Sequence, residues 1–425
     1  MTGSGTAASA NVANGVMVAS PGTLALADGT GLASNYSLNS TVLNITKRVL
    51  NSSGSKLYDA NTNALAGAIT LSNLVSGETL NHSGTASVSS ANAGSYTISN
   101  LSGISIADNA GTASNYTLTG GTHNFTVNQR PLVATLARQY DGTTTSAGST
   151  LSSFDALQGG ETLTMTGSGT AASANVANGI AMSSNGNLAL VNGTGDVSNY
   201  SLNSTVINIT QRILNSSGSK TYDANTNALA GAITLSNLVS GETLNHSGTA
   251  SVSSANAGSY TISNLSGISI ADNAGTASNY TLTGGTHNFT VNQRVVSVNG
   301  TRLYNALSTA VASDLSTHAN LVGSQTLTLS GTGTIASKNV GSSKTVSLGT
   351  LALADGSNGG LAANYTLTGG THQLTVNQRP LVATLARQYD GTTTSAGSTL
   401  SSFDALQGGE TLTMTGSGTA ASANV

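Results

Sequence analysis

Cysteine is missing from all 425 residues, which removes disulfides, thiolate chemistry and Cys-type zinc sites together. Charge is scarce as well: Asp, Glu, Lys and Arg make up 7% of the chain and the formal net charge is only -3, too little to argue for nucleic acid or an anionic membrane surface as partner. No apolar run reaches the roughly 18 residues of a membrane-spanning helix. Aromatic residues are 4%, and Ser, Thr, Asn, Gly and Ala fill much of the rest, the makeup of thin β modules with many turns and not of an enzyme core.

What is present is repetition. Tyr58-Asp59, Tyr140-Asp141, Tyr222-Asp223, Tyr304-Asn305 and Tyr389-Asp390 follow one another at 82, 82, 82 and 85 residues, and the arginines Arg48, Arg130, Arg212, Arg294 and Arg379 keep the same spacing. Cutting at the arginines gives four whole repeats, 48–129, 130–211, 212–293 and 294–378. They are flanked by the C-terminal part of a repeat (1–47) and the N-terminal part of another (379–425). Repeats of about 82 residues exceed the length of solenoid units and are long enough for each to close a small core of its own. Repeats 48–129 and 212–293 differ only at Val49/Ile213 and Leu57/Thr221, so the duplicating block was a pair. Residues 379–425 repeat 130–176 without a change, and 1–47 corresponds to 165–211.

Within a repeat the apolar period is two. Leu132, Ala134 and Leu136 alternate with Val133, Thr135 and Ala137; Leu163 and Met165 with Thr162, Thr164 and Thr166; Tyr116 and Leu118 with Thr117 and Thr119; Phe125 and Val127 with Asn124, Thr126 and Asn128. Turn signals such as Asp141-Gly142, Gly159-Gly160, Asn192-Gly193 and Gly120-Gly121 separate these half-buried strands. The pattern predicts an all-β fold, a tandem and elongated array of small Ig-like β-sandwich modules with six or seven strands each and no helix. A β-grasp module, the main competitor, would need a helix, and no segment has helical spacing over ten residues. The last hairpin differs in length between repeats by two residues (Tyr116 to Arg130 against Tyr200 to Arg212), which keeps every side chain on its face.

Taken together, Tyr-Asp-Gly-Thr-Thr at 140–144 and 389–393, Gly-Glu-Thr-Leu at 77–80, 160–163, 241–244 and 409–412, and Asn-Tyr-Thr-Leu at 115–118, 279–282 and 364–367 resemble the YDG-type repeat of filamentous-haemagglutinin-like adhesins and exoproteins of Gram-negative bacteria. The resemblance covers every repeat. It departs from the pattern at Ala60 and Ala224, which replace the glycine, and at Asn305-Ala306, where the acid is lost too. It implies an extracellular or cell-surface location, a stalk-like role in adhesion to a host or neighbouring cell, and export through an outer-membrane partner; the absence of cysteine fits such export.

Three classes of residue invite a functional reading. The tyrosines of Tyr-Asp (Tyr58, Tyr140, Tyr222, Tyr304, Tyr389) and of Asn-Tyr (Tyr36, Tyr116, Tyr200, Tyr280, Tyr365) are expected to bury their rings and pass their hydroxyls to nearby backbone groups, with sugar stacking as the alternative. Asp59, Asp141, Asp223 and Asp390 are expected to cap the turn that follows them. Asp28, Asp108, Asp272 and Asp355 recur before Asn-Tyr, where a calcium ion is conceivable, yet each loop has one carboxylate and calcium wants several. No cofactor is called for. Histidines 82, 123, 246, 287, 318 and 372 lack an acid in the same motif, and no catalytic set emerges. A Lys-Asn crosslink in every repeat is excluded, because Lys56 and Lys220 become Arg138, Arg302 and Arg387.

Met1 to Gly5 reads as an interior strand and loop of the repeat, so an export signal, an anchor and an adhesive head are expected outside these residues. The stretch from Asn124 to Val133 passes from one repeat to the next without a flexible linker, with Pro131 and Pro380 stiffening two such passages. A structural stalk is the leading reading, followed by a repeated weak binding module acting through avidity, for a glycan or a protein, and by a continuous β-solenoid. Residues 1–47 and 379–425 are complementary parts of one repeat, so end-to-end association of these residues in isolation is expected only as an artefact of their cut ends.

Overall fold

The computed structural model describes residues 2–424, and these are all-β: the only helical residues among them lie in three-residue 3-10 turns. The chain divides into two units, Met1–Gln211 and Arg212–Val425.

In the first unit, module 48–129 shows why alternation suffices to build the fold. Its first long strand, Asn51–Leu57, runs parallel beside its last, His123–Asn128, with Gly54 opposite Phe125. Ile69–Ser72 flanks the first strand and Gly94–Asn100 flanks the last, both antiparallel. The sheet then turns a corner within single strands. Gly94–Thr97 pair with the last strand while Ile98 and Asn100 pair with Asn81–Val88, whose own two halves pair with Ile104–Ala107 and Asn63–Leu65. The sheet thus curls over its own apolar face, and no helix is needed to cover it. Tyr58, Ile69, Val88, Ile98, Ile104, Phe125 and Val127 fill the space inside.

Module 130–211 follows after a single residue, Gln129, between the strands His123–Asn128 and Arg130–Gln139. Its five-stranded sheet again centres on a parallel pair, Arg130–Gln139 beside Tyr200–Thr210, with Leu136 opposite Ile207. Leu132, Ala134 and Leu136 are buried while Val133 and Thr135 are half-exposed, as the period of two requires. Here the last strand is continuous over eleven residues; in module 48–129 it is split into Tyr116–Thr117 and His123–Asn128. The two extra residues leave as the loop 118–122, and Phe125 and Ile207 still face the core. Residues 1–47 form a three-stranded antiparallel sheet, Thr6–Ala7, Ala13–Ser20 and Val42–Ile45.

The second unit repeats the plan. Module 212–293 has the seven-stranded sheet of module 48–129, module 294–378 has a six-stranded one centred on Ser297–Leu303 beside Gln373–Asn377, and residues 379–425 carry one hairpin, Ala383–Ala386 with Thr399–Phe403.

A parallel pair of first and last strands fixes how a module is threaded. The chain enters at one end of the ladder and leaves at the other, about 20 Å apart for six residues at ~3.3 Å each. One expectation changes: the modules of a unit do not close wholly separate cores, because Leu132, Leu163 and Tyr200 of module 130–211 belong to the same apolar cluster as the core of module 48–129.

Candidate inter-module interface

The residues that mark the repeat converge where two modules meet. Tyr58 directly follows the first long strand of its module and Tyr200 begins the last strand of the next; their rings pack edge to face with centroids 5.3 Å apart, an arrangement worth about 0.5–1.5 kcal/mol beyond burial. Between their hydroxyls lies Glu161 of the Gly-Glu-Thr-Leu motif. Tyr58 donates to its Oε1 and Tyr200 to its Oε2, each at 2.5 Å, and the Gln158 N–H donates to the Tyr200 oxygen at 3.1 Å. One carboxylate thereby ties two modules together. Burial and the Glu161 carboxylate push the Tyr200 hydroxyl up to about 12 and raise that of Tyr58 as well.

The second unit repeats the arrangement with a substitution. Tyr222 and Tyr365 lie edge to face at 5.3 Å, and Gln325 stands in the place of Glu161. Its Oε1 accepts from Tyr365 at 2.5 Å and its Nε2 donates to the Tyr222 oxygen at 3.0 Å. Tyr304 donates to Glu410, which also pairs with Lys338 at 3.2 Å; these contacts hold the Glu410 carboxyl below its ordinary range. Inside their own modules Tyr116 and Tyr280 donate to Glu78 and Glu242 at 2.5 and 2.6 Å.

The asparagines before Tyr200, Tyr365 and Tyr116 each bond to the module before their own. Asn199, which is 1% exposed, accepts the Ala93 N–H at 2.7 Å and donates to Asn92 at 3.1 Å, both in the preceding module. Asn364 does the same with Ala257 and Asn256, and Asn115 with Val12 and Asn11. The Gln-Arg pair completes the joint. Gln129 donates to the Ser198 carbonyl, while Arg130 donates to the Tyr58 carbonyl at 3.2 Å and the Ala156 carbonyl at 3.0 Å. Gln293 and Arg294 repeat this with Ala363, Tyr222 and Asn320.

The other candidate residues lie apart from the joint. Asp141 accepts the Thr143 N–H at 3.0 Å and the Arg138 guanidinium at 2.6 Å; Asp59, with the Asn61 N–H and the Lys56 ammonium, is arranged alike. The cation three residues before the aspartate is thus a clasp on the turn, a role that the lysine-arginine exchange obscures in the sequence. Where Asn305 replaces the acid, Arg302 turns to Asp314 at 3.2 Å. The third turn residue has a left-handed backbone: Gly142 at φ 78°, Ala60 at 60° and Ala224 at 62°, so the alanine copies bear a strain that glycine avoids. Asp28, Asp108, Asp272 and Asp355 each accept one backbone N–H at 2.7 Å, and among the described residues no three acidic or histidine side chains gather as a metal site. His123 donates from Nε2 to the Leu118 carbonyl and accepts the Ser52 hydroxyl on Nδ1, holding the loop 118–122. Tyr36 and Tyr389, in the partial repeats, are 72% and 66% exposed, while Tyr140 is buried.

One further feature recurs. A cleft of about 430 Å³ in module 48–129 has Leu101, Ile104, Ile106, Tyr116 and Leu118 on its walls, and its counterpart in module 212–293, about 570 Å³, has Leu265, Ile268, Ile270, Tyr280 and Leu282.

No curated protein matches the chain. The YDG domain model matches it four times in tandem, over residues 42–123, 126–207, 208–288 and 289–373. Its four matches span most of the sequence and contain Tyr58, Glu161, Asn199 and Tyr200 of the first unit's joint and Tyr222, Gln325, Asn364 and Tyr365 of the second's, so the chain belongs to the YDG domain family.

Proposed function

We propose that this chain is a structural stalk region of a secreted or cell-surface bacterial adhesin of the filamentous-haemagglutinin-like kind, exported through an outer-membrane partner and carrying an adhesive region that lies outside these residues. The observation that supports it most is the use to which the repeated residues are put. Tyr58, Glu161, Asn199 and Arg130 join consecutive modules, and the parallel threading brings the chain in at one end of a module and out at the other. Residues spent on joints serve length and stiffness. Small-angle X-ray scattering tests this on the chain and on a variant lacking 48–211, which joins Lys47 to Arg212 in register. The maximum dimension is expected to shorten by two module lengths at constant cross-section; a globular scattering curve would sink the stalk.

The paired cleft favours a second reading, weak binding repeated for avidity. It has an apolar floor and a rim of Ser102, Thr117 and Thr119, repeated at Ser266, Thr281 and Thr283. Its floor is also core, with Tyr116 and Tyr280 each 2% exposed, which places packing first. Screening oligosaccharides by NMR should leave the Thr117 and Thr281 amides unmoved if the clefts only pack; saturable shifts at both would favour binding.

A further inference from the structure

We propose that the parallel pair of first and last strands in each module is a mechanical clamp, which a pull along the chain loads in shear. The inference rests on the stalk reading, which is what puts the chain under tension. The direction of the load follows from the threading. The chain enters module 48–129 where Arg48–Val49 pair with Tyr116–Thr117, and it leaves after Asn128, at the far end of the parallel ladder of Asn51–Leu57 and His123–Asn128. Tension draws the start of one strand and the end of the other apart along their length, so the evenly spaced rungs carry it together. An antiparallel pair would bring the chain in and out at one end, and tension would break its rungs in turn.

Each whole repeat is built this way. Arg130–Gln139 lies beside Tyr200–Thr210, Asn215–Thr221 beside His287–Asn292, and Ser297–Leu303 beside Gln373–Asn377. At the exit end the tyrosine of the Tyr-Asp or Tyr-Asn pair closes the ladder with its backbone. The N–H groups of Tyr58, Tyr140, Tyr222 and Tyr304 donate to the carbonyls of Asn128, Thr210, Asn292 and Asn377 at 2.9, 2.9, 2.8 and 2.9 Å. At the entry end side chains tie the two strands across. Asn51 accepts the Thr122 N–H and the Ser52 hydroxyl donates to His123 Nδ1, each at 2.9 Å. Asn215 with Thr286 and Ser216 with His287 repeat both contacts. In module 294–378 Ser297 accepts the Thr371 N–H at 3.0 Å and His372 the Val298 N–H at 3.3 Å.

The pair also lies inside its sheet. In module 48–129 Ile69–Ser72 covers the outer edge of the first strand and Gly94–Asn100 that of the last. Phe125 and Val127, each 1% exposed, close one face of the ladder against the core, so water, which competes for backbone hydrogen bonds, is kept from that face. Forced opening follows the unfolding rate and not the equilibrium stability. Changing only the direction of the pull therefore isolates the clamp.

Single-molecule force spectroscopy on the full chain tests it. The chain has no cysteine, so thiol handles attach only where one is introduced. Lys47→Cys with Asn128→Cys loads the ladder of module 48–129 in shear. Lys47→Cys with Thr119→Cys grips both strands at the entry end and peels them apart. All three positions are exposed, so the melting curves of the two variants are expected to agree. Both pulls open the same module and lose the same joint to module 130–211. The length released, about 3.6 Å for each residue between the handles, identifies the module that opened. At one pulling speed the shear force is expected to be at least about twice the peeling force. Equal forces, or a lower force in shear, would overturn the clamp. The two readings fail separately: equal forces leave the stalk's length as scattering measures it, and a globular scattering curve leaves the difference between directions standing.

Discussion

Replacing Glu161 by alanine is expected to cost about 2–4 kcal/mol, because two hydroxyls buried at the joint lose their acceptor at once and each unsatisfied group costs about 1–3 kcal/mol. Tyr58 and Tyr200 are 3% and 2% exposed, so water does not replace the carboxylate without opening the seam. Glu161→Gln should cost under about 1 kcal/mol, since Gln325 already fills this role in the second unit, where its amide nitrogen donates to the Tyr222 oxygen and its carbonyl accepts from Tyr365. Adding Tyr58→Phe and Tyr200→Phe to Glu161→Ala should recover much of the loss, because removing donors with their acceptor leaves nothing unpaired. Urea denaturation reads the total. Hydrogen exchange at the Gln158 amide, which donates to Tyr200, reads the joint itself. A full-length chain that loses less than about 0.5 kcal/mol on Glu161→Ala would remove the carboxylate as the tie between modules.

The joint also sets an alkaline limit. Both tyrosine hydroxyls are raised above the ordinary value of 10.0, so their contribution is complete below that pH and is lost as pH rises through about 12, the value at Tyr200. The melting temperature of wild type should therefore fall over that window.

The two levels of this molecule differ in how readily the amino-acid order betrays them. Strand content follows from local alternation: Leu132, Ala134 and Leu136 announce a buried face, and the structure buries them. The even-numbered length change in the last hairpin likewise foretells that Phe125 and Ile207 share a face. Parallel pairing of the first and last strands is a different matter, because Gly54 and Phe125 are 71 residues apart and nothing local joins them. The joint is hidden for the same reason. Tyr58 meets Glu161 across 103 residues, in the next repeat, whereas local pattern offers the hydroxyl only nearby backbone. One signal exists in the sequence. A carboxylate two residues before a buried strand position, Leu163, in a chain so poor in charge needs a partner once buried, and the tyrosine hydroxyls are among the donors that recur in every repeat. The exchange of Glu161 for Gln325, with both tyrosines kept, points the same way, since either side chain can accept from a hydroxyl.

The largest loss is expected in the core of module 48–129, at Gly54→Leu, about 3 kcal/mol or more from overpacking. A Cβ at Gly54 would stand 2.2 Å from the Ala68 carbonyl oxygen and 2.8 Å from the Phe125 ring, and Gly218 faces Ala232 and Phe289 at the same distances. Module 130–211 fills the same pair of positions differently, with Leu136 against Ile207 in place of a glycine against a large ring. That exchange suggests Phe125→Ile as a rescue, and only a partial one. Module 294–378 shows why: Leu374 replaces the phenylalanine, yet Gly300 is retained, because a Cβ there would lie 1.7 Å from the Asp314 carbonyl oxygen. The backbone, not the ring alone, holds the glycine. In module 130–211 a register shift between Thr135 and Leu136 accompanies the leucine, a backbone change that a side-chain substitution in module 48–129 does not supply. Denaturation of Gly54→Leu, Phe125→Ile and the double variant should therefore show a favourable coupling that stops short of wild type. Full recovery in the double variant would assign the constraint to the ring and release the Ala68 carbonyl from it.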